Sequence, residues 1–337
     1  MKREALKHVK RGEGWNEIRD TRYAFLILTF REREAVSDLR WFKGNTHTHT
    51  NNSDGDAPLE NVVRWYREHG YDFVVVTDHN RLTDVSGVQG PGFTVIPGVE
   101  YSASSEGRPV HINALNASAL PEVRVAEGIV ETIRQGVNAV RGVGGVPQIN
   151  HPNFRWAFTD AEMGQVEGWS LLEILNASTD CNSFGGGGAP GVEAMWDRLL
   201  SEGRRVWGVA SDDAHDFTKE FWGHRSWPGR AWVMVRASDG GTGALVAALQ
   251  AGDFYASNEV TLDALEVTEE GVSLVIHQDY QYKYTTWFLG KGGKLVKRCL
   301  GNEATYRFKG DEGYVRAKTC SSEGGFAWTQ PVFLKKS

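Results

Sequence analysis

From Trp41 onward the chain alternates between unbroken apolar runs and stretches with a helical repeat. The run at 73–77 has no polar interruption, which suits a strand buried on both faces. Runs at 93–96, 110–115, 146–149, 171–175, 205–210 and 232–235 read as further strands. Between them, Leu59, Val63 and Tyr66 recur at i, i+4 and i+7 after Pro58, and Gly70 closes that helix. Ile129, Ile133, Val137 and Val140 share one face of a second helix, and Val192, Trp196, Leu199 and Leu200 that of a third. A short helix is expected over 245–252. The order strand, polar residue, loop or helix, next strand is that of an α/β barrel. After Asn258 the period drops to two: Val272, Leu274 and Ile276, then Tyr284, Thr286 and Phe288, alternate with other residues between glycine-marked turns. This predicts a small antiparallel β-sandwich-like domain over 258–337, following a barrel over 41–257. Residues 1–40 mix basic residues, Gly12 and Gly14 with one apolar run, and their pattern defines no element.

The polar residues at the strand ends are unusual in kind. Gly44-Asn45-Thr46-His47-Thr48-His49 ends the first strand, and a His-x-His on a strand sends both imidazoles to one face. Neutral imidazoles held side by side commonly share a metal ion. Asp54 follows in a Ser-Asp-Gly turn. His79 lies past the second strand, Glu100 past the third and His151 past the fifth, Asp213 and His215 follow the seventh, and His111 sits on the fourth. Functional residues of barrels gather at this end of the strands.

Composition narrows the partners. Of 337 residues, 40% are hydrophobic and 24% charged, an ordinary globular balance. The net charge of −6 gives no reason to expect nucleic acid or an anionic membrane. Three cysteines, Cys181, Cys299 and Cys320, share no metal-type spacing and suit a reducing compartment. With no signal peptide visible, a cytoplasmic protein is expected.

HTHTNNSDG, TDHN, PGVEYS with VHINALN, NHPN and SDDAH, in that order across about residues 43–216, resemble the signature blocks of the polymerase-and-histidinol-phosphatase (PHP) metallohydrolases. WFKGNTHTHT and the closing AWTQPVF further resemble the branch that contains carbaryl hydrolase, whose members carry a small C-terminal β domain. The resemblance implies an α/β fold: a distorted (β/α)7 PHP-type barrel with a small C-terminal antiparallel β domain. It implies a trinuclear centre of two to three divalent ions, with zinc, manganese and iron all compatible with nitrogen and oxygen donors. His47 and His49 would hold the first ion with Glu100 and Asp213. Glu100 would bridge to a second ion on His111 and His151, and Asp54, His79 and His215 would hold a third. The family's Asp-x-His spacing favours Asp213 over Asp212. The implied activity is that of a phosphoesterase, in which hydroxide shared between two ions attacks a small, anionic phosphate ester.

Other residues carry less specific signals. His224 is a candidate general acid, beside Arg225 and near Trp222, Trp227 and Arg230. Arg155, Arg225 and Arg230 are candidate anion clamps, each equally suited to an ordinary surface ion pair. Gly185 to Gly188 lack the Lys-Ser/Thr of a P-loop and read as a lid or a connector. Trp156, Trp222 and Trp227 leave room for an aromatic pocket, and with it an aryl ester or carbamate hydrolase. The alternative outside enzymes is a non-catalytic metal- or ligand-binding protein.

Overall fold

A computed structural model describes residues 39–124, 126–218 and 226–334. β1 (Arg40–Asn45) leads through the His-x-His segment to α1 (Leu59–Glu68), which buries Leu59, Val62, Val63 and Tyr66. β2 (Phe73–Val76) is buried at all four positions and pairs in parallel with β1. Gly44 permits that pairing, because a Cβ there would lie 2.1 Å from the Phe73 ring. β3 (Thr94–Ser105), β4 (Arg108–Leu115), α2 (Ile129–Gly142) and β5 (Val146–Ile149) follow, with Ile129, Ile133, Val137 and Val140 facing the sheet. Next come the single turn α3 (Asp160–Met163), β6 (Leu171–Asn176), α4 (Val192–Ser201), β7 (Trp207–Ser211), β8 (Trp232–Ala237), α5 (Thr242–Ala251) and β9 (Phe254–Ser257).

The third strand is longer than its apolar run. After Pro97 it leaves β2 and pairs antiparallel with β4 from Gly98 to Ser105, so backbone pairing continues where side-chain hydrophobicity ends. Glu100 therefore sits within β3, opposite His79 in a lone parallel bridge. β5, β6 and β7 are again parallel neighbours. One core cluster draws side chains from every strand of this set, including Phe73, Ile96, Leu115, Val146, Leu171, Val209 and Val233. Among the described residues no continuous ladder closes β7 onto β1. The two meet just past their ends, where Thr48 bridges Ala214 and the His49 amide donates to the Ala214 carbonyl at 2.9 Å.

The remaining strands are β10 (Leu262–Val267), β11 (Gly271–Ile276), β12 (Tyr284–Gly290), β13 (Lys294–Leu300), β14 (Glu303–Arg307), β15 (Tyr314–Ser321), β16 (Phe326–Thr329) and β17 (Val332–Phe333). β10, β11 and β14 form a three-stranded antiparallel sheet. β16 pairs with β9, which attaches β15, β12 and β13 to the main sheet. Among the described residues no helix is long and apolar enough to cross a membrane.

Candidate metal centre

The nine His, Asp and Glu side chains singled out in the sequence converge. Glu100, wholly buried, is the hub. Its Oε1 lies 3.4 Å from His47 Nε2, 3.1 Å from His111 Nδ1 and 3.3 Å from His151 Nε2. Its Oε2 lies 3.4 Å from His49 Nε2 and 2.9 Å from His79 Nδ1. Asp213 Oδ1 stands 3.1 Å from the Nε2 of both His47 and His49. Asp54 Oδ1 lies 3.3 Å from His215 Nε2, and Asp54 Oδ2 3.5 Å from His79 Nε2. The cluster is graded in depth: His47 and His49 are inaccessible, while Asp54 at the mouth is 56% exposed.

Asp212 is outside it. That carboxylate accepts from Asn45 Nδ2, Tyr66 Oη and the backbone amides of Gly229, Arg230 and Ala231, at 2.7–2.9 Å. It anchors the segment after the last cluster residue to β1 and α1.

Electrostatics divide the imidazoles. Burial pushes His49 down to about 4, helped by the neighbouring His215. Burial also opposes charge on His79 and His215, but Glu100, Asp54 and Asp213 together outweigh it for the first and Asp54 and Asp213 for the second, holding each at about 9. Burial raises Glu100 less than His79, His47 and His111 lower it, so it stays well below the carboxylate range.

These residues fit divalent ions. His47 Nε2, Glu100 Oε2 and His111 Nδ1 are buried without a hydrogen-bond partner, although each is close to other cluster atoms. In a tetrahedral site with bonds of about 2.1 Å, two ligand atoms are about 3.4 Å apart. The nine separations run from 2.9 to 3.5 Å, and two of them meet hydrogen-bond geometry, His49 to Asp213 and His151 to Glu100. Backbone strain gathers here too, with positive φ at Asn80, His151 and Asp213.

A surrounding layer fixes the donors. Glu173, buried in β6, accepts from His47 Nδ1 at 2.9 Å, from the His151 amide at 2.8 Å and from Asn176 Nδ2 at 2.9 Å. Its hold on Nδ1 turns the Nε2 lone pair of His47 toward the cluster. Asn150 Nδ2 donates to Glu100 at 2.9 Å and Asn176 Nδ2 to Asp213 at 3.0 Å. Asp78 ties down the turn before Asp54 by accepting from Thr50 and Ser53. Glu173 escaped the sequence reading, yet a carboxylate inside the apolar run Leu171-Leu172-Glu173-Ile174-Leu175 was a signal for it.

The cluster opens into a cavity of about 290 Å³ whose rim includes Phe154, Ser178, Asp180, Cys181 and Asp216. Among the described residues lining it there is no Lys or Arg. Arg155 is exposed, with its guanidinium over Phe154 at 5.3 Å, and Arg230 lies over Trp227 at 6.0 Å. His224, Arg225 and Trp222 fall in 219–225, outside the described residues.

No family model matches the chain. No curated protein matches it either. Among solved structures it is similar to a two-domain protein from Bacteroides vulgatus ATCC 8482 that contains a predicted PHP-like metal-dependent phosphoesterase. Identity is 14% and the TM-score 0.50, over 88% of this chain and 96% of that one. The class defined at this distance is one of fold: mixed α/β with a parallel-strand sheet, consistent with a PHP-like barrel. An amidohydrolase from Chromobacterium violaceum, solved with sulfate and no metal, matches at 14% identity over 55% of this chain and 92% of its own. Its TM-score of 0.38 is too low to carry an argument.

Proposed function

We propose that this protein is a metal-dependent hydrolase, and within that class a phosphoesterase acting on a small phosphate ester. The observation that carries the reading is the set of buried, unpartnered donor atoms around Glu100, spaced as ligands of shared ions are. The ligand set is His47, His49, Asp54, His79, Glu100, His111, His151, Asp213 and His215, enough for two to three ions, with zinc, manganese or iron suited to these donors. Such ions supply an acidified water as nucleophile and withdraw charge from the leaving oxygen.

The chain's own part is to orient and to shield. Glu173 fixes the tautomer of His47, while Asn150 and Asn176 fix the carboxylates of Glu100 and Asp213. Phe154 gives the substrate an apolar wall. Three divalent ions, three carboxylates and a hydroxide would leave a net charge of about +2, which a phosphate dianion neutralises. In this reading 41–257 is a distorted barrel of the PHP type, and 258–337 a β domain that flanks it and supplies no ligand.

A second reading, aryl ester or carbamate hydrolysis, is favoured by Phe154 and by the lack of Lys or Arg among the described lining residues. The test has two parts. Elemental analysis after reconstitution with manganese or zinc is expected to find two to three ions per chain; less than one removes the foundation. With metal in place, kcat/KM is expected to be higher for p-nitrophenyl phosphate than for p-nitrophenyl acetate. The reverse order hands the reaction to the second reading.

A further inference from the structure

A second cavity, of about 500 Å³, opens between α4 and the strands β12, β15 and β16. One wall is aromatic. Phe326 lies 5.3 Å from Trp328 and 6.3 Å from Phe184, centroid to centroid, and Trp287 adds a half-buried indole. The adjoining wall is ionic, and its Lys318 ammonium lies over the Phe326 and Trp328 rings, 4.5 and 5.7 Å from their centroids. Arg316, wholly buried, donates Nε and Nη2 to Asp197 and Nη2 to Glu193, which also accepts from Lys318 Nζ. Two cations thus face two carboxylates, and the wall carries no net charge. Two donors remain without a partner, Arg316 Nη1 and Trp328 Nε1, on side chains 0% and 2% exposed. Leaving a buried donor unmet costs about 1–3 kcal/mol, and both residues line the same cavity.

We propose that this cavity binds a neutral saccharide. The apolar C–H face of a pyranose packs against an aromatic ring, here the Trp287 indole. Its hydroxyls both accept and donate, so they match Arg316 Nη1 and Trp328 Nε1 on one side and the free lone pairs of Glu193 and Asp197 on the other. The other classes of ligand fit less well. An anion would have to displace a carboxylate from Arg316, a cation would compete with Arg316 and Lys318, and a wholly apolar ligand would leave both donors unmet. The volume lies within the range of small-molecule sites. The segment after β6 is a wall of both cavities, with Cys181 lining the metal centre and Ser183 and Phe184 the second site.

The experiment uses the full-length, metal-reconstituted protein and follows maltose, cellobiose, lactose and sucrose by saturation-transfer NMR and calorimetry, with benzoate and adenosine as rival probes. At least one disaccharide is expected to bind with a Kd in or below the millimolar range. Trp287→Ala should weaken it by about fivefold or more through lost stacking. Trp328→Phe keeps the ring, removes one donor, and should weaken it severalfold even if the first variant folds poorly. His47→Ala should leave saccharide binding intact, which separates this site from the metal centre. Absence of binding across the four sugars, binding that survives both tryptophan changes, loss of binding in His47→Ala, or preference for benzoate or adenosine would each overturn the proposal.

Discussion

Two buried clusters of charge flank the segment between β6 and α4, and they are completed in different ways. Around Arg316 the chain supplies both signs: Asp197 and Glu193 accept from the guanidinium, Tyr314 Oη donates to Asp197, and only Nη1 is left over. Around Glu100 it supplies imidazoles and carboxylates that crowd together, and leaves His47 Nε2, Glu100 Oε2 and His111 Nδ1 buried without a partner. A buried charge must be neutralised and hydrogen-bonded, or its burial is costly. The first cluster meets that demand almost wholly from within and serves to join α4 to β15. The second cannot meet it alone, and this is what marks it as a place for something the chain does not contain.

The sharpest contrast comes from removing the centre of each cluster. Glu100→Gln is expected to lower hydrolytic turnover by about a thousandfold or more and to strip the bound metal, since a charge shared among several ligands is lost. Arg316→Met is expected to leave metal content per folded chain intact while lowering unfolding free energy by about 3–5 kcal/mol, because Asp197 is left buried without its cation. Denaturation curves and elemental analysis on both proteins check the pair. If Arg316→Met loses metal, or Glu100→Gln unfolds the metal-free chain as severely, the two clusters do not differ in kind.

A smaller effect tests the layer behind the ligands. Glu173→Gln keeps the shape of the side chain but removes the charge that accepts from His47 Nδ1. Metal affinity should fall about 10–100-fold, with the fold retained, as read by competition with a chelating dye. Unchanged affinity would make Glu173 a structural acid only.

The smallest expected effect is pH-dependent and belongs to the self-completed cluster. Burial would raise Glu193, but Arg316 and Lys318 outweigh it and hold it below its ordinary value of 4.5. The unfolded chain therefore takes up this proton first as pH falls. The stability Glu193 confers is full above that value and declines as pH drops toward the depressed one. The difference in unfolding free energy between the native chain and Glu193→Gln should be flat over about pH 6–8 and shrink below about pH 4.5. A difference that grows on acidification would contradict the sign.

Legibility in the sequence followed the range of the interaction. The apolar runs marked β2, β5, β6 and β8, and the 3.6 repeat marked α1, α2 and α4, because those patterns record burial directly. The cluster residues were readable because imidazoles and carboxylates in strand-end positions are rare in kind. The extension of β3 to Ser105 was not readable: its second half is held by backbone pairing with β4, which leaves little trace in side-chain character. The junction of β16 with β9 joins residues about seventy positions apart, and neither strand announces its partner. Glu173 was hidden for a different reason, since it works through His47 and stands inside an apolar strand where only its charge is out of place.

The chain just past β1 and β7 meets at a seam, the Thr48–Ala214 bridge. His47 and His49 stand on one side of it, Asp213 and His215 on the other. An ion shared by His49 and Asp213 would be a cross-link between positions 164 residues apart in the chain, comparable to a disulfide in the large loop it closes and in the freedom it removes from the unfolded state. Unlike a disulfide, it would be reversible by a chelator or by acid, so the fastening of this seam and the chemistry beside it would be set by the same free metal concentration.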